Sequence, residues 1–194
     1  EKVWIEDGHL YVKADPKEQG QPGYVCTVWN NQAISGDVRV EFDAHVVDSE
    51  VDANNINFFL LYSYPGDKTI YETQDERPNA DYGRYHVLNG YIFTFLNDFK
   101  GEGERYEDGS TKARMRMRRC PGFELMTQTY DYHCRKGVTY HITITKRGAD
   151  LSFAVDGTTY LEGHDDKPWA EGLIGLRTFR TELWWDNIKV TALD

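Results

Sequence analysis

The segment from Asp37 to Val46, DVRVEFDAHV, alternates without a break: Val38, Val40, Phe42, Ala44 and Val46 on one side, Arg39, Glu41, Asp43 and His45 on the other. A period of two belongs to a strand, because successive side chains on extended backbone point to opposite faces. The same alternation marks His9 to Lys13 (HLYVK), Tyr91 to Leu96 and Val138 to Thr145 (VTYHITIT). Tyr24 to Trp29 (YVCTVW) and Ile56 to Tyr64 (INFFLLYSY) are apolar on both faces, as a strand covered on both sides would be. Turn signals separate these runs: DPKEQGQPG at 15–23, Arg147-Gly148, and the hairpin dipeptide Asp156-Gly157. No helical period of useful length competes. The pattern predicts an all-β fold, an antiparallel β-sandwich with one sheet curved into a concave groove. A length of 194 residues fits a single domain over 1–194 with its own core. The longest stretch without periodicity, Pro65 to Ala80, predicts a surface loop of the kind that rims a site.

Charge narrows the partner. The net charge of −10 argues against a nucleic-acid backbone, which attracts a basic field. Yet five basic side chains and no acid fall between Lys112 and Arg119, in KARMRMRR. As a strand this places Arg114, Arg116 and Arg118 on one face and Met115 and Met117 on the other. A local basic face on an acidic protein suits a small anionic ligand, a uronate or sulfated sugar, and the thirteen tyrosines and five tryptophans would serve as sugar platforms or as core. A solvated outer face on an edge strand would show the same arginines. No run of about 18 apolar residues is present, so no membrane span is expected. The chain starts at Glu1 without a leader, as a mature or trimmed form would. The compartment stays open, with the secreted or periplasmic side favoured. Cys26, Cys120 and Cys134 are an odd set without metal-type spacing; Cys120 and Cys134 flank a possible hairpin and could bridge, or all three could be reduced, buried thiols.

A second polar group stands at Arg84, Tyr85, His86 and Asn89, between Gly83 and Gly90. Tyrosine, histidine and arginine together are what β-elimination on a uronic acid needs. Arginine neutralises the carboxylate, a neutral imidazole takes the C5 proton, and a hydroxyl assists the departing oxygen. The candidate catalytic residues are His86, Tyr85 and Tyr91. Arg84, Asn89, Arg114, Arg116, Arg118 and His141 are the candidate ligand contacts. On a regular strand Tyr85 and His86 would point oppositely, so His86 is expected in the groove beside Arg84, with Tyr85 or Tyr91 reaching in from a bulge. The bland alternative for His86 is a partly buried ring bonded to backbone. Glu50 and Asp52 come nearest to a hydrolase carboxylate pair, but in a loop. No zinc-protease, phosphate-loop or serine-hydrolase motif occurs.

The ending resembles a known superfamily. A strand, the Asp156-Gly157 hairpin, Gly172-Leu-Ile-Gly-Leu-Arg-Thr178 and the closing Trp184-Trp-Asp-Asn-Ile-Lys-Val190 are similar to the concanavalin A-like lectin/glucanase jelly roll. The middle, with Tyr85-His86, Asn89, Arg118 and Gly122-Phe123, more specifically resembles the YesU-like family of bacterial proteins; the likeness runs from about Phe58 to the C-terminus. The resemblance implies carbohydrate use, especially of uronate- and rhamnose-containing polysaccharides. The expected function is therefore a lyase or dehydratase acting on uronate-containing saccharides. The alternatives are a non-catalytic module for acidic saccharides and a glucanase-type hydrolase. No cofactor is required by the elimination; a structural calcium, as in many related sandwiches, would fall to Asp48, Asp52 and Asp186.

Overall fold

The computed structural model describes residues 1–14, 24–49, 51–97, 107 and 113–194. The loop at 15–23, Glu50, Lys112 and most of the polar loop before the arginine strand lie outside the described residues. The strands are β1 (Lys2–Glu6), β2 (His9–Lys13), β3 (Val25–Trp29), β4 (Ile34–Ser35), β5 (Val38–Ser49), β6 (Ile56–Ser63) and β7 (Asn89–Asn97). They continue with β8 (Ala113–Cys120), β9 (Glu124–Thr129), β10 (Thr139–Arg147), β11 (Asp150–Val155), β12 (Thr158–His164), β13 (Glu171–Phe179) and β14 (Thr181–Ala192). One sheet runs β1-β2-β14-β5-β10-β11-β12 and the other β3-β13-β6-β7-β8-β9, with β4 added on β13; every pairing is antiparallel. The expected all-β sandwich is the fold. Beyond the strands read from sequence, β1 appears because the Asp7-Gly8 turn folds it back on β2. Its side chains are mostly exposed, so no buried face marks it in the sequence.

Alternation puts the core where it was expected. Val38, Val40, Phe42, Ala44 and Val46 of β5 are buried with Tyr140, Ile142 and Ile144 of β10. From the facing sheet come Phe58, Phe93, Phe95, Met115 and Met117. The cysteines are all free and buried, so the possible bridge is not made: Cys134 lies in this core, whereas Cys120 belongs to a second cluster on the outer face of the second sheet.

That second cluster depends on an irregularity in β6. One extra residue enters β6 between Leu60 and Ser63, against both β7 and β13. Leu61 takes φ +54° there, and the bulge lets Leu60 and Leu61 both face the core while Tyr62 turns outward beside Phe59. Each neighbouring strand makes room with a glycine. A Cβ on Gly90 (φ +132°) would stand 2.4 Å from the Tyr62 ring, and one on Gly172 would stand 2.2 Å from the Leu61 carbonyl carbon. Gly172→Ala and Gly90→Ala are therefore each expected to destabilise the fold by about 1–3 kcal/mol, the range for overpacking. Urea denaturation measures this, and an unchanged midpoint for Gly172→Ala would rule out the close approach.

Candidate functional site

Because Met115 and Met117 of β8 pack inward, Arg114, Arg116 and Arg118 stand together on the outer face of the second sheet, each partly exposed. The same parity turns Ile92 and Thr94 of β7 and Asn57 and Phe59 of β6 outward, where Thr94 donates to Asn57 Oδ1 at 2.6 Å. On β13, Ile174 and Leu176 face the core and Arg177 faces out. Arg116 Nε donates to Gln128 Oε1 of β9 at 3.3 Å, and the Arg114 guanidinium lies 5.8 Å over the Tyr130 ring.

Residues 64–88 make a strap over one end of this face, with 3-10 turns at Gln74–Glu76, Pro78–Ala80 and Tyr82–Tyr85. Ile70, Tyr85 and Leu88 seat it on Phe59, Tyr62 and Ile92. Arg77 ties it internally, donating to the Ile70 carbonyl and to Thr73 Oγ1. Asp81 opens the last turn by accepting from the Gly83 N–H at 3.3 Å, and His86 closes it. The strap meets the β8–β9 turn through Gly122 N–H to the His86 carbonyl, 3.0 Å. There the His86 ring stacks on Phe123, centroids 3.6 Å apart, with Tyr82 edge-on at 4.6 Å. The Arg118 guanidinium also lies over Phe123, at 4.0 Å, and donates to its carbonyl at 2.9 Å. Arg118, at the end of the row, and the imidazole thus both pack on the Phe123 ring.

Electrostatics there are one-sided. Burial, then Arg118 and Arg177, hold the His86 pKa down to about 4 against the opposing Asp81, so the ring is neutral at pH 7. Its Nε2 is buried and has no hydrogen-bond partner among the described residues. Burial lowers Arg116, and Arg114 and Arg118 lower it further. Burial raises the Tyr82 hydroxyl, opposed by Arg177, Thr94 and Arg118. Among the described residues no carboxylate pairs with Arg116, Arg118 or Arg177. A guanidinium without a carboxylate partner is able to pair with a planar anion.

Other expected site residues stand elsewhere. Residues 82–86 form a tight turn rather than a strand, so Arg84 is exposed on the strap and does not share a face with His86. Tyr85, 4% exposed, is packed against Phe59 and Trp29 under Arg177. Tyr91 points to the core side, donating to Asp165 Oδ2 at 2.7 Å and accepting from Trp169 N–H at 3.1 Å. Arg119 completes that knot through Asp165 at 2.8 Å. Asn89 donates to Ser63 Oγ at 3.2 Å. His141 lies on the outer face of the other sheet, 2.7 Å from Asp43. Tyr82, Phe123 and Arg177 border this candidate site and were not singled out for it in the sequence. For Arg177 the signal was parity, since Ile174 and Leu176 inward put 177 outward; for Tyr82 it was the Asp81-Tyr-Gly turn.

Asp48 pairs with Lys136 at 3.1 Å, Asp52 accepts from Asn54 at 2.8 Å, and Asp186 faces His9 at 3.2 Å, so the acids considered for calcium have separate partners. Among the described residues no three His, Cys, Asp or Glu side chains converge on a metal position. No helix among them is long and apolar enough to cross a membrane.

Two antiparallel sheets with a strapped outer face define a jelly-roll β-sandwich of galectin-like architecture. A Bacillus subtilis protein of unknown function with a galectin-like fold superposes with TM-score 0.76 at 15% identity, over 97% of this chain and 84% of that one. The carbohydrate-binding module CBM66 from Bacillus subtilis gives 0.64 at 13%, over 98% and 91%. The carbohydrate recognition domain of Emp47p gives 0.62 at 11%, over 99% and 86%. At these identities the likeness is one of fold. The chain belongs to the family described as a domain of unknown function, DUF6250, matched over residues 21–188. No curated protein matches it.

The depressed His86 pKa has a consequence for stability. An unfolded chain protonates this histidine near its ordinary pKa of about 6.5 and the fold only near 4, so the unfolded state binds more protons between those values. The contribution is complete above about 6.5 and is lost as pH falls towards 4. His86→Asn is expected to flatten part of the acid-side fall in the denaturation midpoint; His45, lowered by burial and by His9, and the lowered carboxylates of Asp43, Asp48 and Asp165 keep the remainder. An unchanged acid profile in His86→Asn would contradict this placement of the ring.

Proposed function

We propose that the outer face of the second sheet binds an acidic saccharide, a uronate or a sulfated sugar. The observation that carries this reading is the set Arg116, Arg118 and Arg177, which has no carboxylate partner among the described residues of a protein whose net charge is −10. Cations on one face without acids between them repel one another, and a bound anion relieves that cost. The row from Arg114 to Arg118 spans about 13 Å by the rise of a strand, longer than one sugar ring, which suits an oligosaccharide. The fold shared with a carbohydrate-binding module and a carbohydrate recognition domain supports the ligand class by analogy. Of the residues behind the narrower likeness to YesU-like proteins, His86, Arg118, Gly122 and Phe123 meet at the β8–β9 turn, which is consistent with a common use of this place.

A second reading is elimination on the bound uronate, for which His86 and Arg118, both packed on Phe123, supply a neutral base and a cation; the burial of His86 Nε2 counts against it. Arg118 would neutralise the carboxylate and His86 would take the C5 proton. The C–H electron pair would form the C4–C5 double bond as the C4–O bond breaks, with Tyr82 in place of Tyr85 or Tyr91 protonating the departing oxygen. A pKa of about 4 makes His86 a weak base, so binding is the better supported of the two. Hydrolysis has less support: Asp52 is turned to Asn54 and Asn97, and Glu50 lies outside the described residues.

Calorimetry with pectic, ulvan-type, alginate and glycosaminoglycan oligosaccharides tests the reading. Saturable binding of an acidic member is expected, with affinity about tenfold or more weaker in Arg118→Ala, the worth of one charge-assisted hydrogen bond. Binding that ignores both Arg116→Ala and Arg118→Ala would overturn the site. A mass increment for an unsaturated product, with its far-ultraviolet absorbance lost in His86→Ala, would decide for the lyase.

A further inference from the structure

Strand β1 stands at the edge of the first sheet and, among the described elements, pairs with β2 alone. Its far side presents backbone N–H and C=O groups with no strand beside them, the arrangement by which a sheet accepts another strand. Edges are commonly guarded by an inward-pointing charge, a proline or a bulge, and β1 has none of these. Its register with β2 is unbroken from Lys2 opposite Lys13 to Glu6 opposite His9, and its core-side residues are Val3 and Ile5. Those two are 49% and 68% exposed, although their partners across the ladder are Val12 in the core and Leu10 packed on it. The described residues therefore leave an apolar flank uncovered at an open edge. On the opposite face Trp4 stacks on Tyr11 at 4.9 Å, Tyr11 lies in register with Trp184, and Trp184 stacks on His45 at 5.0 Å. A row of rings thus crosses the sheet and ends at the same edge.

The charges at this edge point to what covers it. Lys2 stands opposite Lys13, a like charge, and Lys13 is already held by Glu182 at 2.6 Å. Lys2 has no carboxylate partner among the described residues, and Glu6 accepts from the uncharged Trp4 Nε1 at 3.1 Å. The strand KVWIE complements itself when laid antiparallel about Trp4. Lys2 of one copy then meets Glu6 of the other, Val3 meets Ile5, and Trp4 meets Trp4. The other edge strands, β3, β9 and β12, carry no lysine or arginine and have no such self-match. We propose that β1 is the docking edge for a second copy of this chain, the two β1 strands pairing antiparallel about a two-fold axis at Trp4 so that the two first sheets become one. The contact is isologous: both copies use the same five residues, and each pair occurs twice except the one on the axis. Antiparallel neighbours keep opposed side chains on a common face, so both second sheets lie on the same side of the joined sheet. Their arginine rows then face the same way, and on the binding reading above a saccharide polymer meets two rows at once. The pairing itself does not rest on that reading.

A contact between five-residue strands is small for a protein interface, so a reversible dimer with a dissociation constant between about 1 µM and about 1 mM is expected. Sedimentation equilibrium of the chain across that range measures it. Lys2→Glu or Glu6→Lys sets like charges together at both ends and should weaken the dimer about tenfold, while the two changes combined should recover it. Unfolding would not give this pattern, because Lys2→Glu relieves the repulsion with Lys13 and leaves the urea midpoint of the monomer unchanged or higher. Ile5→Lys puts a charge on the apolar flank and should abolish the dimer. Trp4→Cys reads the register: position 4 meets itself at a Cα spacing of about 4.5–5.5 Å, within disulfide reach, so oxidation should link two copies. Ile5→Cys, opposite position 3, should not link, and the native cysteines are buried. A monomer throughout the range, or a dimer indifferent to Ile5→Lys and to both charge reversals, overturns the inference. So does a dimer that oxidation of Trp4→Cys fails to link. Each of these results leaves the saccharide reading standing, since that reading is decided by Arg116→Ala and Arg118→Ala on the other sheet.

Discussion

The outer face of the second sheet owes its character to a single misaligned residue. Without the extra position at Leu61, β6 would keep strict alternation and Tyr62 would compete with Leu60 for the core. With it, Tyr62 joins Phe59 outside and gives the strap an apolar seat. The strain of a leucine at positive φ is tolerated because Gly90 and Gly172 let both neighbouring strands close on the bulge. The strap then carries His86 to the β8–β9 turn, where the Gly122 to His86 hydrogen bond fixes its approach to Phe123. A core-side irregularity in this way underlies the candidate site on the outer face.

The strap does two things that a bare sheet cannot. It removes water from around Arg177, and it brings an imidazole over the end of an arginine row. Both raise the effective strength of charge under the strap, since a poorly solvated guanidinium is less screened than one in open water. The knot of Tyr91, Asp165, Arg119 and Trp169 acts on the opposite side of β7 and β8, holding those strands to the loop before β13. Arg119 is therefore used in the structure, while its neighbour Arg118 is turned to the outer face and Phe123.

Much of this was legible in the residues, and the failures have physical reasons. Regular alternation revealed β5, β8 and β10, and it placed the three arginines on one face because methionines occupy the other. It failed at 82–86, where Tyr, His and Arg were read as extended chain. A turn of four residues has no period to display, and only the Asp81 cap and Gly83 signalled it. It failed again in INFFLLYS, where an all-apolar run hides its own register, so the bulge left no mark. Tyr91 was assigned to the groove by its neighbourhood in sequence, whereas its parity with Phe93 and Phe95 sends it to the core side. His141 obeyed its parity but on the other sheet, and sheet membership is not contained in alternation.

The two outer faces carry similar residues and differ in how their charges are satisfied. On the first sheet His141 meets Asp43, His9 meets Asp186, Lys13 meets Glu182 and Asp48 meets Lys136. There Trp184 is stacked between His9 and His45, so its ring faces are already covered. Away from the β1 edge, cations and aromatics on that face are thus used within the protein. On the second sheet Arg116 and Arg118 find a glutamine side chain and a backbone carbonyl, Arg177 finds a hydroxyl and a carbonyl, and none of these partners carries charge. Composition cannot tell these faces apart, since arginine, histidine and aromatic rings occur on both. The unmet charge tells them apart, because a guanidinium given only neutral partners keeps most of its attraction for an anion.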